Sequence, residues 1–161
     1  MYDEILNAAT RLKEQVAALE AMHNQQQKAD LADLLGEQMN AIRVGQNFWL
    51  YEFQCKGSNC GCNNAVKLDP ELARRLQAMR TETGSPIIIN SGYRCIVHNR
   101  AVGSTDTSQH PRGTAADIVI VRLSMSQQEA ICEKYFPDGG IGRAKTFTHV
   151  DTRGFPARWR Y

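Results

Sequence analysis

The sequence predicts an α+β fold with a mainly antiparallel sheet and flanking helices, preceded by an N-terminal helical segment. Apolar residues recur at helical spacing over residues 1–45, whereas later apolar runs are short and rich in isoleucine and valine. Helical and strand-like segments are interspersed after that point, without a regular alternation of long helices and parallel strands. We therefore expect a helical segment over residues 1–45 and a second domain over residues 46–161.

The N-terminal segment carries two apolar stripes separated by a polar run at residues 23–28. A spacing of three or four residues places the members of a stripe on one helix face. They are Ile5, Ala9, Leu12, Val16 and Leu19, and then Leu31, Leu34, Leu35, Met39 and Ile42. Two helices folded as a hairpin fit this pattern, and so does one long helix that self-associates as a coiled coil with other copies.

The second domain opens with an extended entry, a loop and a capped helix. Phe48, Leu50 and Phe53 suggest an extended segment, and a loop rich in Cys and Gly follows at residues 55–64. Asp69-Pro70 then reads as an N-cap followed by proline at the first helical position. Gly84 ends this predicted helix.

Short β-branched runs predict the strands of the sheet. They lie at residues 86–90, 115–121 and 146–152. The stretch 91–112 is rich in Gly, Ser, Thr and Asn and is predicted to be a loop. Ser126 and Glu129 have the spacing of a capping box, which predicts a helix from there to about Tyr135.

Composition excludes some classes of function. The formal net charge of the 161-residue chain is +2, which is too small to indicate a nucleic-acid partner. No apolar run is long enough to span a membrane. The N-terminus has no basic segment followed by an apolar one, so we expect no signal peptide and synthesis in the cytoplasm.

Three polar residues stand against predicted strands in a pattern that suits zinc. His110 lies seven residues before Asp117, which begins an Ile-Val-Ile-Val run, and His149 lies in the last predicted strand. Two imidazoles and one carboxylate form a common catalytic zinc shell that leaves the fourth position open for water. The spacing alone is also compatible with structural histidines and a capping or ion-paired aspartate.

The motifs around these residues resemble those of the zinc D-alanyl-D-alanine carboxypeptidase family. That family includes phage L-alanyl-D-glutamate endopeptidases and shares its fold with the hedgehog signalling domain. The resemblance covers residues 47 to 159. It rests on Ser91-Gly92-Tyr93-Arg94, His98-Asn99, Val102-Gly103, Ser108-Gln109-His110-Pro111-Arg112-Gly113-Thr114-Ala115-Ala116-Asp117-Ile118, Phe147-Thr148-His149-Val150-Asp151-Thr152-Arg153 and Arg158-Trp159.

The resemblance implies roles for individual residues. It implies zinc ligands at His110, Asp117 and His149. It implies that Arg94 stabilises the developing oxyanion or the substrate carbonyl, a role that a permanently charged guanidinium suits. Ser108 is implied to lie near the substrate.

The general base is where this sequence departs from the family. Members usually have Glu or Asp three residues before the last ligand, or His two residues before it, but Thr146 and Phe147 stand at these positions. Asp151 is the nearest acid, and as a strand residue two positions from His149 it shares a face with that ligand. It is either the base or a support for a ligand. Asp106 and His98 are further candidates.

The cysteines form a second group. Cys55, Cys60 and Cys62 share one loop and Cys95 follows Arg94 directly. Four thiolates could hold a structural metal ion, two disulfides could form, or the thiols could be free. The fifth residue, Cys132, is predicted to be buried in a helix.

Together these features predict a zinc metallopeptidase that hydrolyses peptidoglycan stem peptides, as a D-Ala-D-Ala carboxypeptidase or an L-Ala-D-Glu endopeptidase. The expected absence of a signal peptide fits a phage or prophage endolysin that degrades the cell wall after release. The alternative is a non-catalytic, zinc-containing module that binds the cell wall or belongs to a phage structure.

Overall fold

A computed structural model describes residues 2–20 and 25–161 of the chain. The N-terminal segment forms two helices, α1 (Tyr2–Glu20) and α2 (Gln25–Ala41). Part of the polar run predicted between them falls on residues 23 and 24, which lie outside the described residues. Within the described ranges, no helix is both long enough and apolar enough to cross a bilayer.

The two N-terminal helices pack against each other and against the rest of the chain. Leu12, Leu19 and Leu35 form a small apolar cluster between α1 and α2. Ile5 and Ala9, nearer the N-terminus of α1, pack against the main core instead. The two stripes predicted from the sequence therefore bury surface within the chain, and self-association through them stays a prediction.

The domain is built on a five-stranded sheet with the order β1-β2-β4-β3-β5. The strands are β1 (Ile87–Ser91), β2 (Ala115–Ile120), β3 (Gly140–Arg143), β4 (Thr148–Asp151) and β5 (Ala157–Arg160). All neighbouring pairs are antiparallel except β3 and β5, which are parallel. The predicted α+β class with a mainly antiparallel sheet is confirmed.

Helices flank the sheet and close the core. They are α3 (Pro70–Thr83), α4 (Ile96–Ala101) and α5 (Met125–Tyr135), together with 3-10 turns at Leu50–Phe53 and His110–Arg112. The ends of α3 are as predicted. The Asp69 carboxylate accepts a hydrogen bond from the Glu71 amide at 3.2 Å, and Gly84 adopts a left-handed φ of 60°.

The start of α5 differs from the prediction. Ser124, not Ser126, is the N-cap, and its hydroxyl accepts a hydrogen bond from the Gln127 amide at 3.3 Å. The Gln127 side chain accepts one from the Ser124 amide at 2.8 Å, which completes the capping box. Glu129 pairs with Arg143 at 2.7 Å instead.

Three further expectations were wrong. The entry segment predicted as extended contains a 3-10 turn, because the Glu52 carboxylate accepts a hydrogen bond from the Trp49 amide at 2.8 Å. The stretch predicted as loop contains α4, whose N-cap is the unusual Cys95, with its sulfur accepting from the His98 amide at 3.3 Å. Strand β4 is not the last, since the chain returns as β5 to pair with β3.

The strand that carries Asp117 is also the centre of the core. Ile118 on β2 is fully buried, so Ile118→Ala removes methylene contacts and leaves a cavity. We expect a loss of about 2–5 kcal/mol in the free energy of unfolding, measured by urea denaturation. Ile88 on β1 is 50% exposed, and Ile88→Ala is the matched control. We expect it to change the unfolding free energy by less than about 1 kcal/mol. Equal losses in the two variants would contradict the assigned register.

Candidate metal centre

The structure brings the three predicted zinc ligands together. Asp117 on β2 lies directly opposite His149 on β4 in the antiparallel register. Residues directly opposite each other on antiparallel strands project to the same face of the sheet. His110 reaches the same point from the 3-10 turn that immediately precedes β2. All three side chains are buried.

One atom of each side chain converges on a common point. His149 Nδ1 lies 2.9 Å from Asp117 Oδ1, and His110 Nε2 lies 3.2 Å from the same oxygen. The two ring nitrogens are 3.2 Å apart. Zinc ligands at about 2.0–2.1 Å from the ion lie about 3.3 Å apart when the geometry is tetrahedral. The three atoms therefore have nearly the spacing of one face of a zinc tetrahedron.

The outer nitrogen of each ring fixes where its proton lies. His110 Nδ1 is 2.6 Å from the Gly92 carbonyl oxygen, which can only accept, so this nitrogen donates. His149 Nε2 is 3.0 Å from Asp151 Oδ2 and donates to that carboxylate. In neutral rings with these protons, His110 Nε2 and His149 Nδ1 direct lone pairs inward. Two lone pairs and a carboxylate oxygen at this separation repel one another, and a cation between them relieves that repulsion.

Burial and hydrogen bonding act in opposite directions on the pKa values of the residues at this point. Burial alone would lower the pKa of His149, but hydrogen bonds with Asp117 and Asp151 raise the pKa above its ordinary value. Burial would raise the pKa of Asp117, but hydrogen bonds with His110 and His149 hold that pKa below its usual range. Asp117 is therefore an anion at neutral pH, and the donor set suits zinc.

The backbone that holds His110 is closely packed. Gly92 supplies the carbonyl that accepts from the His110 ring. A Cβ at position 92 would lie 2.6 Å from the Phe53 Cα, so only glycine allows this approach. The role of the Gly92 carbonyl as a support for this ligand is visible only in the structure.

Asp151 lies behind His149 and is fully buried. Its Oδ1 accepts hydrogen bonds from the Gly140 amide at 2.9 Å and from Arg153 Nε at 2.8 Å. Its Oδ2 accepts from His149 Nε2 and from the Arg153 guanidinium, the latter at 2.6 Å. Burial would raise the pKa of Asp151, but the hydrogen bonds from Arg153 and His149 outweigh it and lower that pKa.

Arg94 contacts the centre through a ligand. Its NH2 group donates to Asp117 Oδ2 at 2.8 Å, while Oδ1 of the same carboxylate faces the two histidines. The Arg94 Nε is buried and has no hydrogen-bond partner among the residues that the structure describes. The guanidinium thus fixes the orientation of Asp117 and lies beside the three converging atoms.

The other predicted site residues have different contacts. The Ser108 hydroxyl accepts from the His110 amide at 3.3 Å, so it supports the turn that carries this ligand. Asp106 forms an exposed ion pair with Arg100 at 2.7 Å. His98 Nδ1 lies 3.2 Å from the Cys55 sulfur. Among the described residues, the group that could hold one metal ion at this point consists of His110, Asp117 and His149. Asp106, His98 and Asp151 are not part of that group.

An aromatic wall beside His149 was not predicted. It consists of Phe147, Trp159 and Tyr161. The Trp159 ring centroid lies 5.1 Å from that of His149, and Tyr161 lies 5.7 Å from Phe147 and 6.2 Å from Trp159. The alternation of Trp159 and Tyr161 along the last strand was the available signal, but their position depends on the parallel pairing of β5 with β3.

The cysteine group also comes together in the structure. Cys55, Cys60, Cys62 and Cys95 form the second set of side chains in the described ranges that could hold a metal ion. The structure joins no two of the five cysteines in a disulfide, and Cys132 is buried separately in α5.

We expect Asp151→Asn to weaken zinc binding about 10- to 100-fold, the usual effect of losing a carboxylate that orients a ligand histidine. The asparagine removes the charge that accepts the His149 proton. The measurement is the zinc dissociation constant in competition with a chromophoric chelator, on protein shown to be folded by circular dichroism. Asp106→Asn removes an exposed carboxylate and is the control. Equal zinc affinities in the two variants would show that Asp151 does not support the ligand.

A comparison with protein families agrees with this geometry. The model of the Peptidase M15 family matches residues 46–151, more than half of the chain and including all three converging side chains. No curated protein matches the sequence at a significant level. The chain therefore belongs to the Peptidase M15 family, the zinc peptidases similar to D-Ala-D-Ala carboxypeptidases, which act on peptidoglycan-type substrates.

Proposed function

We propose that the chain hydrolyses one peptide bond in the stem peptides of peptidoglycan, at D-Ala-D-Ala as a carboxypeptidase or at L-Ala-D-Glu as an endopeptidase. The observation that carries the proposal is the convergence of His110 Nε2, His149 Nδ1 and Asp117 Oδ1, with both imidazole protons held on the outer side. The proposal extends to a phage or prophage lysis role, because cutting stem peptides weakens the cell wall.

The three converging residues are the proposed zinc ligands. A zinc ion bound there would supply Lewis-acid chemistry, activating a water molecule and polarising the substrate carbonyl. The protein keeps the ligands in place through their outer contacts: Gly92 holds the ring of His110, and Asp151 holds the ring of His149. These supports reduce the reorganisation that zinc binding requires.

Arg94 is proposed to act on the substrate as well as on Asp117. A guanidinium has five N–H donors, and the contact with Asp117 Oδ2 uses one of them. The remaining donors are proposed to stabilise the negative charge that develops on the carbonyl oxygen. Ser108 accepts from the His110 amide, and its hydroxyl hydrogen can donate to a substrate on the same side.

Asp151 is proposed to position His149 and not to take the proton. Its two oxygens already accept from His149, Gly140 and Arg153, and its pKa is lowered by these contacts. Protonation would cost several of those hydrogen bonds. These contacts occupy both oxygens of Asp151, and Thr146 and Phe147 stand at the positions where members of the family usually have the base. Proton transfer is therefore the slow step of the proposed reaction.

The absence of an acid at position 146 also favours the second candidate function. A chain that holds zinc but has no acid at position 146 could serve as a non-catalytic module that binds the cell wall or forms part of a phage structure. Metal content is the same for both functions, so turnover is the property that separates them.

The test is mass spectrometry of purified muropeptides after incubation with zinc-loaded protein. We expect product that disappears with a chelator and returns when zinc is added back. Loss of a terminal alanine identifies the carboxypeptidase, and a cut between L-alanine and D-glutamate identifies the endopeptidase. His149→Ala, which removes a ligand, is the inactive control. Intact muropeptides with zinc-loaded wild-type protein would sink the peptidase proposal and favour the binding module.

We expect Thr146→Glu to raise the rate of muropeptide cleavage by at least about tenfold, because a positioned general base contributes roughly 10²–10⁴-fold. Thr146 is exposed, so the longer side chain has room. Thr146→Gln has nearly the same shape without the basic carboxylate, and we expect it to keep the wild-type rate. Equal rates for the Glu and Gln variants would show that position 146 is not where the missing base belongs.

A further inference from the structure

Four sulfur atoms from two segments of the chain converge outside the proposed active site. Cys55, Cys60 and Cys62 come from the loop after the first 3-10 turn, and Cys95 comes from the N-cap of α4. All four Sγ atoms lie within 4.8 Å of one another. Cys60 Sγ is 3.8 Å from Cys55 Sγ and 3.2 Å from Cys62 Sγ. This is a closed group of four donors of one kind.

The spacing fits a tetrahedral metal ion better than disulfides. A zinc–sulfur distance of about 2.3 Å places the sulfurs of a tetrahedral site about 3.8 Å apart. A disulfide needs a separation of about 2.05 Å and pairs the sulfurs two by two. Here Cys60 is in contact with two other cysteines at once, and no pair is bonded.

The surroundings of the sulfurs also suit thiolates. The His98 amide donates to Cys95 Sγ at 3.3 Å, and the Cys95 amide donates to Cys55 Sγ at 3.4 Å. His98 Nδ1 lies 3.2 Å from Cys55 Sγ, on the same sulfur. Hydrogen bonds of this kind stabilise negative charge on sulfur and orient metal ligands. Four clustered thiolates repel one another unless a cation lies between them.

We infer that Cys55, Cys60, Cys62 and Cys95 bind a second zinc ion, with a structural role. A tetrahedral set of four thiolates suits zinc or iron, and zinc is the ion that such a set holds in structural sites. Four protein ligands leave no open coordination position, so the site holds the chain and does not react with substrate.

The position of the group shows what the ion would hold. It joins the loop at residues 55–62 to the segment that carries Gly92, Arg94 and Cys95. Gly92 supports the ring of His110, and Arg94 orients Asp117. Among the described residues, this loop is otherwise held by backbone hydrogen bonds, such as Cys55 N–H to the Ala65 carbonyl at 2.9 Å, and by Lys56 Nζ, which donates to the Ile89 carbonyl at 2.6 Å. The second zinc ion would thus hold the segment that carries Gly92 and Arg94. These two residues support His110 and Asp117, two of the three proposed ligands of the first zinc ion.

The test is the zinc content of the full chain, purified without chelators and measured by inductively coupled plasma mass spectrometry. We expect two zinc ions per wild-type chain and one in the double variant Cys60→Ser/Cys62→Ser. His149→Ala should also lose one, from the other site. Cys132→Ala removes a buried cysteine outside the group and should keep both. One zinc ion in the wild type, lost in His149→Ala and kept in the double cysteine variant, would overturn the second site but not the proposed function.

A measurement on the wild-type chain covers the case in which the cysteine variant does not fold. Cobalt-loaded protein should show the intense thiolate-to-cobalt charge-transfer absorption of a tetrathiolate site. The thiols of Cys55, Cys60, Cys62 and Cys95 should resist alkylation while the metal is bound. They should react with the alkylating reagent once the metal has been removed. A native mass lower by two hydrogens per disulfide, or iron in place of zinc at this site, would overturn the assignment.

Discussion

The antiparallel register between β2 and β4 is the constraint on which the metal centre depends. It places Asp117 opposite His149, so that Oδ1 and Nδ1 are 2.9 Å apart. A shift of one residue would turn one side chain to the other face of the sheet. Ile118, buried next to Asp117, and Val150, buried next to His149, oppose such a shift because each would then leave the core. Core packing on one face of the sheet thus sets the ligand geometry on the other.

The charges around the centre are balanced before a metal ion is counted. Asp117 pairs with Arg94, and Asp151 pairs with Arg153, so two carboxylates meet two guanidinium groups. A divalent cation therefore makes the centre net positive. In a buried site with little screening, that charge stabilises the negative charge that develops on a carbonyl during hydrolysis. It also favours anionic peptides, and the stem peptides of peptidoglycan carry free carboxylates.

The sequence predicted the secondary-structure elements that depend on local residue patterns. Isoleucine-rich runs predicted β1 and β2, and Asp69 with Gly84 predicted both ends of α3. The three converging side chains were expected from the resemblance of their surrounding motifs to a known family, because spacing alone also fits structural histidines and a capping aspartate. The contacts of Asp151 could not be predicted from the sequence, because they require the Arg153 side chain to fold back and the Gly140 amide to approach from β3. The aromatic wall depends likewise on the parallel pairing of β5 with β3, which no local pattern encodes.

The position of Asp151 shows why one acid cannot both hold a ligand and accept the proton. Five N–H groups point at its two oxygens: the Gly140 amide, the Arg153 amide, two guanidinium nitrogens of Arg153 and His149 Nε2. A carboxylate offers about four lone-pair sites, so its accepting capacity is already filled. A base at this position would gain a proton only by releasing His149, which would loosen the ligand at the moment it is needed.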